Sequence, residues 1–552
     1  MFGGMTPSAP TVAVRALTLF LLFCGLSLLY RFLRGWVDSA GRLISRVAER
    51  RFLAMAVVAG VAMGGRLLLL PLVPVPRPTL PDEFSHLLLS ETLELGRITN
   101  PTPPHWQNIE NLFIIYEPTY QSKYPLGQGA LMAFGKLVFG HPWFGVWLAT
   151  GAMCAAVCWM LQGWLGPVWG LLGGVIVALR IAWLSDWINT YMGGSLAALG
   201  GALTMGALIR IRGTPRAGTA VVFGLGIVLG IHTRPFESSM FCLVTMLLLG
   251  RRLRDLRVIV PIAGTIALGV ALVGYHNWRV TGNPLMLPYQ LARKAQGMPQ
   301  NFYWQAPVPA PTLRFRRIAE WYEWQLGEQR KGATVRGYLT QLKRKLVVVV
   351  YNFYAGYYFL PGILFALIFW RDWRVRALAV TVVMMLAWSS SFMDMYEHYL
   401  AQLVCVFLAL FLYGIIRMGR WRWQSQPIGA VAAASLVLSS MQGTAFGILG
   451  LLRAPESLEA LRFRADLRGG IESDLRRAGG GHVVFVRSQK GRKSPAGWYY
   501  NGPDPEHSPI IWAQEIDPAS DKAFLDYYRG RRVWAVNADA AVPRLEPYRP
   551  GP

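Results

Sequence analysis

Apolar runs alternate with short arginine-rich segments along most of the chain. Runs approaching or exceeding roughly 18 apolar residues read as transmembrane helices, which predicts about twelve spans. They fall near 11–30, 52–74, 142–163, 165–184, 191–209, 217–232, 236–250, 257–276, 346–369, 376–392, 398–416 and 427–450. The first run lacks a basic leader and a small-residue cleavage site, so it reads as a retained span. The pattern changes after about 452. There "HVVFVR", "PIIWAQEI" and "RRVWAVN" read as strands, and "DKAFLDYYRG" as a helix between the last two. "ESLEALRFRADLRGGIESDLRRAGGG" has helical spacing and ends in glycines. The fold class expected is an α-helical polytopic membrane domain over 1–451, with a small α/β domain over 452–552.

The arginines assign the sides. Arg31, Arg34, Arg42, Arg46, Arg50 and Arg51 form one basic loop. Four more gather around Arg210–Arg216, Arg251–Arg257, Arg371–Arg376 and Arg417–Arg422. Short basic loops face the cytoplasm. All five can do so together only if "LGQGALMAFGKLVFG" does not cross the membrane. That segment is short, glycine-rich and follows a proline, which suits a re-entrant or interfacial helix. The outward side then collects 75–141, "LSDWINTYMGG", "HTRPFES", the long loop 277–345, "MDMYEHY" and the tail. The loop 277–345 mixes aromatics with cations and reads as interfacial amphipathic helices on lipid headgroups.

Composition agrees with this division. The chain is 53% hydrophobic, only 15% charged and has a mean hydropathy of +0.33, whereas soluble domains carry about 25% charged residues. The net charge of +25 sits largely in loops beside spans, so it points to anionic lipid and not to nucleic acid. The five cysteines, Cys24, Cys154, Cys158, Cys242 and Cys405, all lie in apolar runs. No disulfide framework is expected, and Cys154 and Cys158 read as helix packing.

The outward segments hold the candidate chemistry. "PDEFSH" places Asp82 and Glu83 side by side near a membrane surface. Pro-Asp-Glu is a good helix start, and one carboxylate there can also be a general base while the other orients it. "SKYPLGQG" places Lys123 and Tyr124 before a helix start, where a cation and amide groups can meet a phosphate. Asp186 lies at the outer end of a span, as a cavity acid or an ordinary interfacial one. "HTRPFES" offers Arg234 as a bidentate phosphate ligand or as the partner of a nearby acid such as Glu237. Arg279 opens the long loop. "YEHYLAQ" puts Glu397, His398 and Tyr399 at an outer helix start. These acids and His398 do not have the spacing of a metal motif, so neither metal nor other cofactor is expected, with a divalent ion left open.

In this order the motifs resemble the GT-C superfamily of membrane glycosyltransferases, nearest to protein O-mannosyltransferases and lipid A aminoarabinose transferases. Asp82-Glu83 is similar to the acidic pair opening that family's first external loop. "KYPLGQGALMAFGKLVFG" is similar to its Lys-Pro-Pro-Leu element and non-spanning helix, with Tyr124 in place of the first proline. Asp186 matches a later acid at an outer helix end. The resemblance covers about the first 240 residues. It implies inverting transfer of a sugar from a polyprenyl-phosphate donor to a hydroxyl of an envelope glycan, lipid or protein, on the outer face of a bacterial-type cytoplasmic membrane. Asp82 would be the base, beside Glu83 and Asp186. Arg234, Lys123 and Arg279 would meet the lipid phosphate, with Tyr124, Glu237, His398 and Tyr399 binding phosphate or acceptor. A flippase or transporter of lipid-linked sugar would instead show repeats and a mid-membrane polar site. A polysaccharide ligase would centre on a large late loop.

Overall fold

A computed structural model describes residues 21–26, 39, 41–295, 301–306, 315–352, 356–393, 396–424, 426–441, 444–445, 447–448, 467–488, 496–540 and 542–549. Most of the run 11–30 and the start of the tail, 452–466, lie outside them.

Five described helices are long and apolar enough to cross a membrane: Arg51–Leu68, Trp143–Leu165, Gly194–Gly213, Leu256–Thr281 and His398–Met418. Shorter apolar helices, Pro167–Ile181, Ala217–Ile231 and Ile428–Ser440, pack among them. The chain is a multi-pass membrane protein. Small residues let these helices approach closely, as expected where lipid gives no hydrophobic drive. A Cβ on Gly200 would lie 2.6 Å from the carbonyl of Gly226, and one on Gly201 would lie 2.4 Å from that of Gln402.

The basic loops meet at one end of the bundle. The Arg252 guanidinium donates to the Arg212 carbonyl at 2.8 Å, and Arg212 lies over Trp373. Arg374 donates to the Trp164 carbonyl at 3.0 Å, while Gln162 reaches the Arg51 carbonyl. These arginines satisfy the open carbonyls of helix ends as well as carrying charge.

Three boundaries differ from expectation. Leu256–Thr281 runs a turn further than the apolar pattern and stops at Gly282, whose φ of +79° favours glycine. The expected span 346–369 is divided: Val335–Asn352 begins in the polar loop, and a separate helix covers Leu360–Leu367. His398–Met418 starts as a 3-10 turn kinked at Leu400 before its α-helical part.

The Leu126–Phe139 helix has 14 residues, which is about 21 Å at 1.5 Å per residue. That is too short for a hydrocarbon layer of about 30 Å. Its last turns nevertheless expose Phe134, Leu137, Val138 and Phe139, an apolar surface suited to dipping into lipid.

The tail carries a four-stranded sheet. His482–Arg487 is central, parallel to Ile510–Ala513 on one side and to Arg532–Asn537 on the other. Leu545–Pro547 adds an antiparallel edge. The two strands His482–Arg487 and Ile510–Ala513 are buried along almost their whole length because both faces are covered. Val484, Val486, Ile510 and Trp512 meet the helix Leu467–Ala478 through Ile471 and Leu475. Val483, Phe485 and Ile511 form a second core with Phe84, Leu88, Ile109 and Tyr120 of the first long loop. The sheet is therefore fused to the helix Pro81–Glu94 and not merely tethered behind it.

Candidate active site

The helix Pro81–Glu94 starts as its sequence dictates. Pro81 fits the first turn, and Glu83 folds back in a capping box, with Oε2 accepting from the amides of Thr79 at 2.8 Å and Leu80 at 2.9 Å. Its Oε1 accepts from the Tyr191 amide at 3.0 Å. Glu83 is 1% exposed, and both of its oxygens are committed to backbone. Asp82 is only half-buried, and its Oδ1 accepts a hydrogen bond from the Tyr124 hydroxyl. Adjacent acids thus have different environments: one braces two loops, the other is held by the Tyr124 hydroxyl.

Tyr124 reaches Asp82 because a small hairpin delivers it. Ile114–Ile115 pairs with Gln121–Ser122. Ser85 of the acidic helix clasps that hairpin, donating to the Phe113 carbonyl at 2.7 Å and lying 2.8 Å from Ser122 Oγ. Tyr124 then stacks on His86 with centroids 4.2 Å apart and meets Tyr289 edge-on at 5.3 Å. Burial, with the Asp82 carboxylate beside it, pushes the Tyr124 phenol well up, so it stays a donor. His86 is held down to about 3 by burial and by the charges of Arg234 and Lys123, so it is a neutral imidazole.

Two cations complete the cluster. Lys123 Nζ lies 3.1 Å from the centroid of Phe113 and 5.0 Å from that of Tyr124. Arg234 lies 4.5 Å over Tyr399 and interacts electrostatically with Tyr289, Glu237 and Tyr124. Tyr124 and Tyr289 each sense both Asp82 and Arg234. Arg234 arrives through a glycine contact. The Gly127 amide donates to the His232 carbonyl at 2.9 Å, and a Cβ on Gly127 would sit 2.6 Å from that oxygen. Only a residue without a side chain allows the helix Leu126–Phe139 to meet "HTRP" so closely. His398 joins the cluster beside Tyr399, their ring centroids 5.0 Å apart.

Asp82, Lys123, Tyr124, Arg234, Glu237, His398 and Tyr399 are therefore brought together, with Glu83 as a brace behind them. Asp186 and Arg279 stand apart from this cluster. Asp186 is exposed in the first turn of Asp186–Asn189, and it is Tyr191 nearby that contacts Glu83. Arg279 is exposed and donates to the Tyr275 hydroxyl at 3.2 Å. Two members carry no sequence signal of their own. His86 lies inside "PDEFSH" but looks like a lone histidine on an apolar face. Tyr289 follows the second proline of "NPLMLPY", with no local pattern to mark it. Among the described residues no group of three or more His, Cys, Asp or Glu is placed to hold a metal ion.

No family model matches the chain, and no curated protein matches it. Solved structures do. ArnT from Cupriavidus metallidurans, bound to undecaprenyl phosphate, is 11% identical with a TM-score of 0.47, over 91% of this chain and 93% of that one. AglB, the oligosaccharyltransferase of Archaeoglobus fulgidus, in complex with an inhibitory peptide and a dolichol-phosphate, is 10% identical with a TM-score of 0.40, over 88% and 69%. The apo oligosaccharyltransferase of that archaeon is 12% identical with a TM-score of 0.42, over 71% of this chain and 56% of that one. This chain thus spans about half the length of the latter.

Proposed function

We propose that this chain is an inverting GT-C-type glycosyltransferase that moves a sugar from a polyprenyl-phosphate carrier to an acceptor hydroxyl. The observation carrying this reading is the cluster in which the tyrosine-bound carboxylate Asp82 and the Arg234 guanidinium both act on Tyr124 and Tyr289, with Lys123 5.0 Å from the Tyr124 ring. Such a cluster suits a reaction that needs one base and a place for phosphate charge.

In this reading the acceptor oxygen attacks the anomeric carbon from the face opposite the phosphate. The new C–O bond forms as the sugar–phosphate bond breaks. The hydroxyl proton passes to Asp82, and the electron pair stays on the leaving phosphate. That phosphate is a good leaving group without protonation, and what it gains in charge is met by Arg234 and Lys123. Both cations lie on aromatic faces that help hold them in place. The basic loops gathered at the opposite end of the bundle support an outward-facing site under the positive-inside rule. The lipid carrier would approach along the apolar surface of Leu126–Phe139.

The test is transfer of radiolabelled sugar from polyprenyl-linked donors by membranes with matched amounts of wild type or Asp82→Asn. Loss of transfer by two or more orders of magnitude is expected for removal of a base, about 10²–10⁴-fold. Full transfer by Asp82→Asn would reduce the pair to a helix cap.

A further inference from the structure

We propose that the C-terminal domain is a positioning element for Asp82, acting through Gly497 on Phe84, a role that rests on the transferase reading above. Phe84 stands two residues after Asp82, one turn into the same helix, and is 6% exposed. Its ring lies 5.1 Å from that of Tyr500. A Cβ on Gly497 would lie 2.6 Å from Phe84 Cζ. The domain thus touches the helix that carries the carboxylate through a contact with no spare room, and the segment Ala496–Tyr499 is shaped to fit that ring.

Other contacts make the docking a rigid one. The Tyr500 hydroxyl donates to Glu91 Oε2 at 2.5 Å, three helical residues beyond Leu88. Tyr120 donates to the Asn501 carbonyl at 2.9 Å. Asn108 donates to Asp521 Oδ1 at 2.8 Å, and the Gln514 amide returns a bond to the Asn108 carbonyl at 2.7 Å. Arg468 holds the docking segment from behind, donating to the carbonyls of Gly497 and Tyr500. The carboxyl end of the strand Ile510–Ala513, where a parallel sheet offers a ligand crevice, is taken up by this docking. The domain's polar contacts at this face therefore hold the acidic helix, whose rotation would move Asp82 away from Tyr124.

The experiment places 3-fluorotyrosine at position 124 and reads its ¹⁹F resonance in the full chain, with Asp82→Ala as the reference for the broken hydrogen bond. Gly497→Val should move the resonance toward that reference, and Phe84→Leu with Gly497→Val should bring it back by restoring room. In unlabelled protein, Gly497→Val should lose roughly 100-fold in kcat, as a misplacement near 1 Å does, with donor KM little changed and activity recovered in the double variant. An unmoved resonance in Gly497→Val overturns the proposal, as does a moved resonance with wild-type kcat or one that the double variant leaves displaced. If the resonance behaves as expected while the wild type transfers no sugar, the positioning contact stands and the transferase reading falls.

Discussion

Tyr124 donates its hydroxyl hydrogen to Asp82, and the two are brought together across 42 positions of sequence. The bond occupies one carboxylate oxygen and leaves the other to meet a substrate proton. Removing a hydrogen bond to a charged group costs about 1.5–3 kcal/mol, so Tyr124→Phe should lower kcat by roughly 10- to 100-fold. The phenyl ring keeps the stack on His86, and donor KM should hold. Steady-state transfer with labelled donor checks both.

The neighbouring acids should separate cleanly. Glu83 accepts from three backbone amides and has no oxygen to spare. Glu83→Gln turns an amide NH₂ toward one of those donors, and leaving buried donors unmet costs about 1–3 kcal/mol. Thermal unfolding in detergent should show a lower Tm for Glu83→Gln. Asp82→Asn should unfold near the wild-type temperature while losing transfer. An equal fall in Tm for both would remove the division between brace and base.

Arg234 should resist replacement by lysine. Its guanidinium is sandwiched against Tyr399 and reaches the field of Glu237 and two more tyrosines. A lysine keeps the charge but loses the planar fork and the stacking. Loss of one donor to a developing anion typically costs 10²–10³ in kcat, and Arg234→Lys should fall by about that factor. The same substitution at the exposed Arg279 should leave kcat within about two-fold, as surface changes usually do. Side-by-side kinetics of the two variants decide whether the cluster or the loop opening meets the phosphate.

Much of this arrangement is legible in the sequence because it is local. Pro81, Asp82 and Glu83 announce a helix start, and "YPLGQG" announces another. Gly127 and Gly129 could be read as small residues, but the surfaces they admit, the His232 carbonyl and Leu89, are visible only in the fold. Asp186 and Arg279 stand at the ends of apolar runs, where a site acid or cation is expected. Their orientation depends on details that apolar runs do not encode: Ser185 caps a short helix that turns Asp186 outward, and the Leu256–Thr281 helix continues far enough to carry Arg279 into solvent. The tail strands follow from their apolar runs. Their docking on the acidic helix does not, since Tyr500 and Glu91 are 409 positions apart.

His86 should make the fold sensitive to acid. Its imidazole is buried and held down to about 3, against an ordinary value of 6.5. Its Nδ1 is buried without a hydrogen-bond partner. A histidine kept neutral by the fold contributes fully above pH 6.5, and its contribution is lost as pH falls toward the folded value. The slope is about 1.4 kcal/mol per pH unit for one group. His86→Phe keeps an aromatic ring against Tyr124 and cannot titrate. Its Tm should therefore fall less than the wild type's between pH 6.5 and 4.5, in a series of melts at constant ionic strength.

Glu91 should set an opposite dependence at the domain contact. Burial pushes its carboxyl up to about 7 from 4.5, against the hydrogen bond from Tyr500, with Glu94 raising it further and Lys136 and Arg468 opposing. An acid whose docked value is raised favours docking most below its free value. That contribution shrinks as pH rises from 4.5 through about 7 and does not change further above it. The full span is at most on the order of 3 kcal/mol. Glu91→Gln keeps an oxygen for the Tyr500 hydroxyl and carries no charge at any pH. The wild type should therefore lose Tm between pH 5 and pH 8 relative to Glu91→Gln, while the two converge at pH 5. Equal curves at both ends would mean that Glu91 is solvated in the docked protein. A wild type that gains stability over Glu91→Gln at pH 8 would mean that the pair with Arg468 outweighs burial.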